Sequence, residues 1–211
     1  MTLIAIDLDG TLEDSRDDMV ASVHRVRRRL GLTVKADADV RPFVNRGMPT
    51  LYARCFAELE NSAAKEAYEA DYAEHIADAT TLYPGIAEAL EALAGLGTLA
   101  LVTNKPEHLS RLLLKALAID THFSAVIGGD TCEHGKPHPI MLERALESSG
   151  ASGPVIMVGD SAGDMRLGRS AGAKTVWCGW GYLDDQPEPS PDATAASPGE
   201  LPGAIAGLLP R

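Results

Sequence analysis

Residues 1–14 read MTLIAIDLDGTLED, and the fold turns on how the apolar run Leu3-Ile4-Ala5-Ile6 gives way to Asp7-Leu8-Asp9-Gly10-Thr11. A short unbroken apolar run is the pattern of a strand buried on both faces of a parallel sheet. Such a strand delivers the residues after it to its carboxyl end, where open α/β sheets bind their ligands. Two carboxylates one residue apart on an extended chain point to opposite sides, so Asp7 and Asp9 share a centre only if the chain bends. Gly10 permits the bend. Asp7 is then placed to face the centre as a nucleophile, with Asp9, displaced beyond the turn, as proton donor and acceptor. Gly10 and Thr11 are expected to leave backbone N–H groups free for an anion.

Further apolar runs follow at residues 99–102, 125–127 and 155–158, with a weaker one at 175–176. Between them, Ile86, Leu90 and Leu93 keep helical spacing, as do Leu109, Leu112 or Leu113 and Leu117, and then Met141, Leu142, Ala145 and Leu146. This alternation predicts an α/β fold with a doubly wound parallel sheet. Residues 14–81 interrupt it. Met19, Val23, Val26 and Leu30 draw one helical stripe, Leu51, Cys55, Phe56 and Leu59 another, and Tyr68, Tyr72 and Ile76 share a face within a helix expected over 62–79. We expect two domains: an α/β core of residues 1–13 and 82–211, and an α-helical cap of 14–81 inserted after the first strand, where a lid belongs. The Pro-, Ala- and Ser-rich tail is expected to carry a short strand at 193–196 and a last helix from Pro198.

Composition excludes several functions. Among the 211 residues, 45% hydrophobic and 23% charged residues suit a globular enzyme, and a formal net charge of −11 argues against a nucleic-acid surface. No apolar run approaches the roughly 18 residues of a membrane span, and Asp7 breaks any signal-peptide pattern, so a cytoplasmic location is expected. Cys55, Cys132 and Cys178, scattered and odd in number, suit reduced thiols.

Chemistry-bearing residues collect at the strand ends: Asp7 and Asp9 after the first, Thr103 and Asn104 after the second, Lys136 before the fourth, Asp160 and Asp164 after it. Parallel strands bring all of these to one edge. Asp7, Asp160 and Asp164 place three negative charges in one pocket, and each pair about 4 Å apart repels by about 4 kcal/mol at an effective dielectric near 20. A divalent cation resolves this, and oxygen ligands favour Mg²⁺ over zinc. Lys136 adds a second positive charge to hold a phosphoryl group, and Thr103 a hydroxyl donor.

Asp7-Leu8-Asp9-Gly10-Thr11, Thr103-Asn104, Lys136-Pro137 and residues 159–164 (GDSAGD) resemble, in order, the four motifs of the haloacid dehalogenase superfamily in its phosphatase branch. The resemblance implies a Rossmann-like core and an Asp7 that forms an aspartyl-phosphate. It implies that Asp9 protonates the leaving oxygen and then activates water. Mg²⁺ is implied among Asp7, the Asp9 backbone carbonyl, Asp160 and Asp164, with Thr103 and Lys136 on the phosphoryl oxygens. The stretches LYPGIAEALEAL, LVTNKPEHL, IGGDTCEHGKPHP and WGY are similar to those of phosphoglycolate phosphatases, and Gly47 resembles a cap glycine of that group. Gly135 departs from the pattern, standing where many relatives carry a second lysine.

The expected activity is Mg²⁺-dependent hydrolysis of a small phosphorylated metabolite, 2-phosphoglycolate foremost, by a monomer or homodimer. Arg46, Asn104 and the loop 180–182 are candidates to read the organic part of the substrate, alongside Gly10, Thr11 and Gly47. A phosphosugar mutase shares all four motifs, and a sugar-phosphate phosphatase or pyrophosphatase remains an alternative. Other patterns read as structural: Arg25, Arg27, Arg28 and Arg29 as a solvated helix face, Asp14, Asp17 and Asp18 as helix-start carboxylates. Gly135 and Pro137 deny His134 and His138 a common helix face, against a zinc cluster with Cys132.

Overall fold

In the computed structural model, which describes residues 1–44, 47–182 and 187–209, the chain divides into two compact units. One comprises Met1–Glu13 with Leu82–Arg211, the other Asp14–Thr81. In the first unit, β1 (Leu3–Ile6) is fully buried along its length, as its apolar run requires. Two short strands, β2 (Glu13–Asp14) and β3 (Thr81–Leu82), pair where the chain passes between the units. Beside β1, β4 (Thr98–Val102) and β5 (Ala125–Ile127) run outward on one side; β6 (Val155–Gly159), β7 (Lys174–Cys178) and β8 (Ala193–Ala195) run outward on the other. Every neighbouring pair in this six-stranded sheet is parallel. Ile6 stands opposite Leu101 and Val158, so Asp7, Thr103 and Asp160 all follow the same edge of the sheet. Because the chain builds outward from β1 to β5 and then returns to β6, the strand order reverses between β1 and β6, where doubly wound sheets take ligands.

The Asp14–Thr81 unit holds α1 (Arg16–Arg29), α2 (Asp37–Val44), α3 (Met48–Cys55) and α4 (Asn61–Glu74). Tyr68 and Tyr72, four apart on α4, stack at 5.6 Å, and Phe56 meets Tyr68 edge-on. The expected helix over 62–79 stops at Glu74, so Ile76 lies beyond it: the His75 N–H caps Tyr72, and the chain then turns to meet Asp18. Asp18, read from sequence as a helix-start carboxylate, is buried and accepts the N–H groups of Ala79 and Thr80 and the Thr80 hydroxyl at 2.6–3.0 Å. Asp14 pairs with Arg16 and Asp17 with Arg41.

The arginine run also differs from expectation. Arg27 is 1% exposed; it donates to the carbonyls of Thr33 and Cys55 and grips Glu58 through two nitrogens, while Arg25 joins Ser22 on the buried carboxylate of Asp71. Helix phase explains this, since Arg27 follows Val23 by one turn and Arg28 faces solvent.

The sheet of the first unit is covered by α5 (Ile86–Ala94), α6 (Glu107–Ala116), α7 (Ile140–Ser149), α8 (Ala162–Ser170) and α9 (Leu201–Ala206). Met141, Leu142 and Ala145 of α7 and Leu167 of α8 pack on Leu3, Ala5, Ala100, Val102 and Met157. Period-two alternation sends Ile4, Ile6, Leu99 and Leu101 to the opposite face. The fold is thus the doubly wound parallel α/β architecture read from the sequence, with β7 longer than expected because Trp177 and Cys178 are also buried. Among the described residues no helix is long and apolar enough to cross a membrane, and all three cysteines are unbridged. Asp18→Ala leaves the Ala79 and Thr80 amides without their acceptor and should cost about 3 kcal/mol in urea denaturation, Asp18→Asn less.

Candidate active site

The loop leaving β1 is a tight turn. The Thr11 and Leu12 N–H groups donate to the Leu8 carbonyl at 3.1 and 2.9 Å, and the Gly10 N–H donates to the Glu13 carbonyl at 3.0 Å. The amides expected to be free for an anion are therefore used within the loop, a correction to the roles read for Gly10 and Thr11. The Thr11 hydroxyl instead donates to Asp160 at 3.2 Å. Gly10 adopts φ +80°, and a Cβ there would lie 2.3 Å from an Asp160 oxygen, so both conformation and space demand glycine.

On the other side of the crevice, β6 ends at Gly159, and Ser161 caps α8 in a reciprocal box: its hydroxyl accepts the Asp164 N–H, and Asp164 accepts the Ser161 N–H and hydroxyl. This box fixes the Asp164 carboxylate toward β1. Ligand atoms of Asp7, Asp160 and Asp164, all buried, lie within 4.8 Å of one another. Lys136, its side chain 4% exposed, reaches between them, Nζ standing 2.7 Å from Asp7 Oδ1 and 2.7 Å from Asp164 Oδ1. Such a cluster of hard oxygen donors, with more negative than positive charge, fits a metal ion.

Electrostatics follow from this crowding. Burial, then Asp164, pushes the Asp7 carboxyl up to about 8 against the opposing pull of Lys136. Burial and Asp164 likewise raise Asp160 to about 6, although the Tyr182 N–H and the Thr11 hydroxyl favour its charged form. Burial alone would lower Lys136, but Asp164 and Asp7 outweigh it and raise its value above that of a free lysine.

At the end of β4, Thr103 is buried and its hydroxyl oxygen accepts the Lys105 N–H at 3.2 Å. Asn104 accepts the Lys136 N–H at 2.9 Å, so in this structure it holds the loop carrying Lys136. Gly135 suits that contact, since a Cβ would lie 2.7 Å from the Asn104 side-chain oxygen. Lys105, which sequence reading passed over, is buried and forms an ion pair with Asp9. The only signal for it was a lysine beside a motif. The loop 180–182, a candidate to read substrate, instead braces the site: Trp180 Nε1 donates to the Thr11 carbonyl at 3.0 Å and the Tyr182 N–H to Asp160 at 2.8 Å. Gly47, at φ +82°, precedes α3 in the Asp14–Thr81 unit, and Arg46 lies outside the described residues. His134 and His138 form a ring pair at 4.7 Å, and among the described residues no metal-ligating group includes Cys132.

A parallel sheet with acidic loops after its first and fourth long strands defines a class, and the sequence matches haloacid dehalogenase-like hydrolases over residues 4–178. The chain belongs to that family. It is 35% identical over 191 residues to a phosphoglycolate phosphatase of Chromobacterium violaceum, covering 86% of each chain. It is 33% identical over 203 residues to that of Aquifex aeolicus, covering 95% of each. The crystal structure of a predicted phosphoglycolate phosphatase from Haemophilus somnus 129PT matches with a TM-score of 0.82 at 31% identity, over 94% of this chain and 95% of that one.

Two outcomes follow from the crowded carboxylates. Folded Asp7 keeps a proton that the unfolded chain releases, so metal-free protein should lose melting temperature as pH rises from the ordinary value of 3.8 toward about 8. Differential scanning fluorimetry in chelator should show this slope flattened in Asp7→Asn. Gly10→Ala should lower the melting temperature, because its Cβ collides with Asp160 and its φ of +80° is strained for alanine, read by differential scanning fluorimetry against the parent.

Proposed function

We propose that the protein is a Mg²⁺-dependent phosphomonoesterase that hydrolyses a small phosphorylated metabolite, 2-phosphoglycolate foremost, through an aspartyl-phosphate. The observation that carries this reading is the buried ammonium of Lys136, 2.7 Å from both Asp7 and Asp164, inside a cluster of three carboxylates. A site so built suits a dianionic group brought against an attacking carboxylate. The substrate choice draws on the relatives' names, which are phosphoglycolate phosphatases at 33–35% identity.

On this reading an Asp7 oxygen attacks phosphorus, the ester P–O bond breaks, and the departing oxygen takes a proton from Asp9. Asp9 then takes a proton from water, whose oxygen attacks phosphorus and breaks the Asp7–phosphorus bond, releasing inorganic phosphate and restoring Asp7. Lys136 and the Thr103 hydroxyl donate to the phosphoryl oxygens; Thr103, already accepting the Lys105 amide, has its proton available for that role. Asp7, the Asp9 carbonyl, Asp160 and Asp164 would hold Mg²⁺, which supplies positive charge to the phosphoryl oxygens. The Asp14–Thr81 unit, inserted directly after the Asp7–Glu13 loop, is read as the cap that selects the organic part of the substrate.

A panel of small phosphate esters, with Mg²⁺ or with chelator, tests the reading; 2-phosphoglycolate should lead, and chelator should abolish release. Asp7→Asn should lower phosphate release by on the order of 10⁴ or more while circular dichroism stays unchanged. Release unaffected by that substitution would overturn the covalent route, and isomerised sugar in place of free phosphate from a hexose phosphate would replace hydrolysis with mutase chemistry.

A further inference from the structure

Lysine is a costly residue to bury. Lys105 has 0% of its side chain exposed and sits in the loop between β4 and α6, where its ammonium pairs with Asp9 Oδ1 across 96 positions of sequence. A charge so placed persists only if compensated, and replacing a whole buried ion pair by hydrophobic side chains of similar volume is often as stable or more so. Stability alone therefore gives little reason for a lysine here.

Its mount is rigid. The Lys105 N–H donates to the Thr103 hydroxyl oxygen at 3.2 Å, and its carbonyl accepts the Gly129 N–H at 2.9 Å. Pro106 follows, with φ fixed by its ring, as the N-cap residue before α6. Backbone lies directly against backbone on the far side: a Cβ on Gly129 would fall 2.4 Å from the Asn104 carbonyl oxygen, and one on Gly128 2.3 Å from the Glu107 nitrogen. Residues 104–107 therefore have no slack toward that glycine pair. The ammonium is carried on a fixed platform, and what it fixes is a carboxylate 22% exposed and two residues from Asp7.

We infer that Lys105 is a positioning residue for Asp9: it selects the one orientation of the Asp9 carboxylate from which a proton reaches the ester oxygen. This rests on the phosphatase reading above. Proton transfer needs heavy atoms within about 2.6–3.2 Å, and a misplacement of about 1 Å costs on the order of 10²-fold in rate. The dependence on Lys105 must then track the leaving group. An alkoxide departs only with a proton, whereas a nitrophenolate leaves without one.

The experiment compares wild type and Lys105→Met on 2-phosphoglycolate and on p-nitrophenyl phosphate. In single-turnover measurements the variant should cleave 2-phosphoglycolate about 10²-fold more slowly, with KM within about twofold. Its pre-steady-state burst of nitrophenolate should stay within about threefold of wild type, because that step does not use Asp9 as an acid. In an Asp9→Asn background, Lys105→Met should cost nothing further on 2-phosphoglycolate.

Equal slowing of both esters, or additive losses in the double variant, would overturn the assignment. So would a wild-type rate on 2-phosphoglycolate. If Lys105→Met does not fold, Lys105→Gln is judged by the same ratio of the two esters. Absence of phosphate release by the wild type from either ester would instead bring down the phosphatase reading, and the positioning role with it.

Discussion

Three carboxylates held within 4.8 Å of one another in a buried crevice are the constraint that the rest of the site answers. Each close pair repels by about 4 kcal/mol at an effective dielectric near 20, before the cost of burial is counted. The loops accordingly converge on these groups with donors: Lys136 on Asp7 and Asp164, the Thr11 hydroxyl and Tyr182 amide on Asp160, and Ser161 on Asp164. The donors come from four separate segments, so the acid cluster also ties together loops that sequence distance keeps apart. Raised carboxyl values at Asp7 and Asp160 come first from burial and then from repulsion by Asp164, which these donors do not cancel.

Topology makes the convergence possible, and small residues make it close. Levelling of β1 with β4 and β6 delivers the acidic loops to one edge, at the reversal of strand order. Side chains on the surrounding backbone would then collide with the acids. A Cβ would lie 2.3 Å from Asp160 at Gly10, 2.1 Å from it at Gly181, and 2.3 Å from Asp164 at Gly159. These glycines shape the volume that the carboxylates occupy.

Much of this was legible in the letters because it rests on local pattern. Unbroken apolar runs marked the central strands, and the type of residue just beyond each run marked the chemistry, since a parallel sheet aligns its carboxyl ends without further information. What could not be read depends on a partner distant in sequence. Lys105 was passed over because nothing local announces the ion pair with Asp9, and Asp18, which does stand in the first turn of α1 as read, gave no sign that it would also hold Ala79 and Thr80. The free amides read for Gly10 and Thr11 failed for a different reason: the turn that the glycine permits consumes those donors itself. Arg27 was misread by composition, because four arginines in five residues suggest a solvated face, although its helix phase relative to Val23 pointed inward.

The two aspartates of the opening motif are each met by their own buried lysine, Asp7 by Lys136 and Asp9 by Lys105. The lysines come from different loops, Lys136 between β5 and α7 and Lys105 between β4 and α6, so the partners can be oriented independently. That separation matters for two carboxylates with opposite duties. On the proposed mechanism one attacks phosphorus and needs its negative charge held beside the positive groups that would bind phosphate; the other gives and takes a proton and needs a fixed orientation more than a fixed charge. With all groups ionised, Asp7, Asp9, Asp160 and Asp164 against Lys105 and Lys136 leave a formal charge of −2, which a single divalent cation would balance. Filling the site with further lysines would neutralise it as well, but would occupy the oxygens that a metal and a phosphoryl group must share. Two ammonium groups, placed one per motif aspartate, leave room for both.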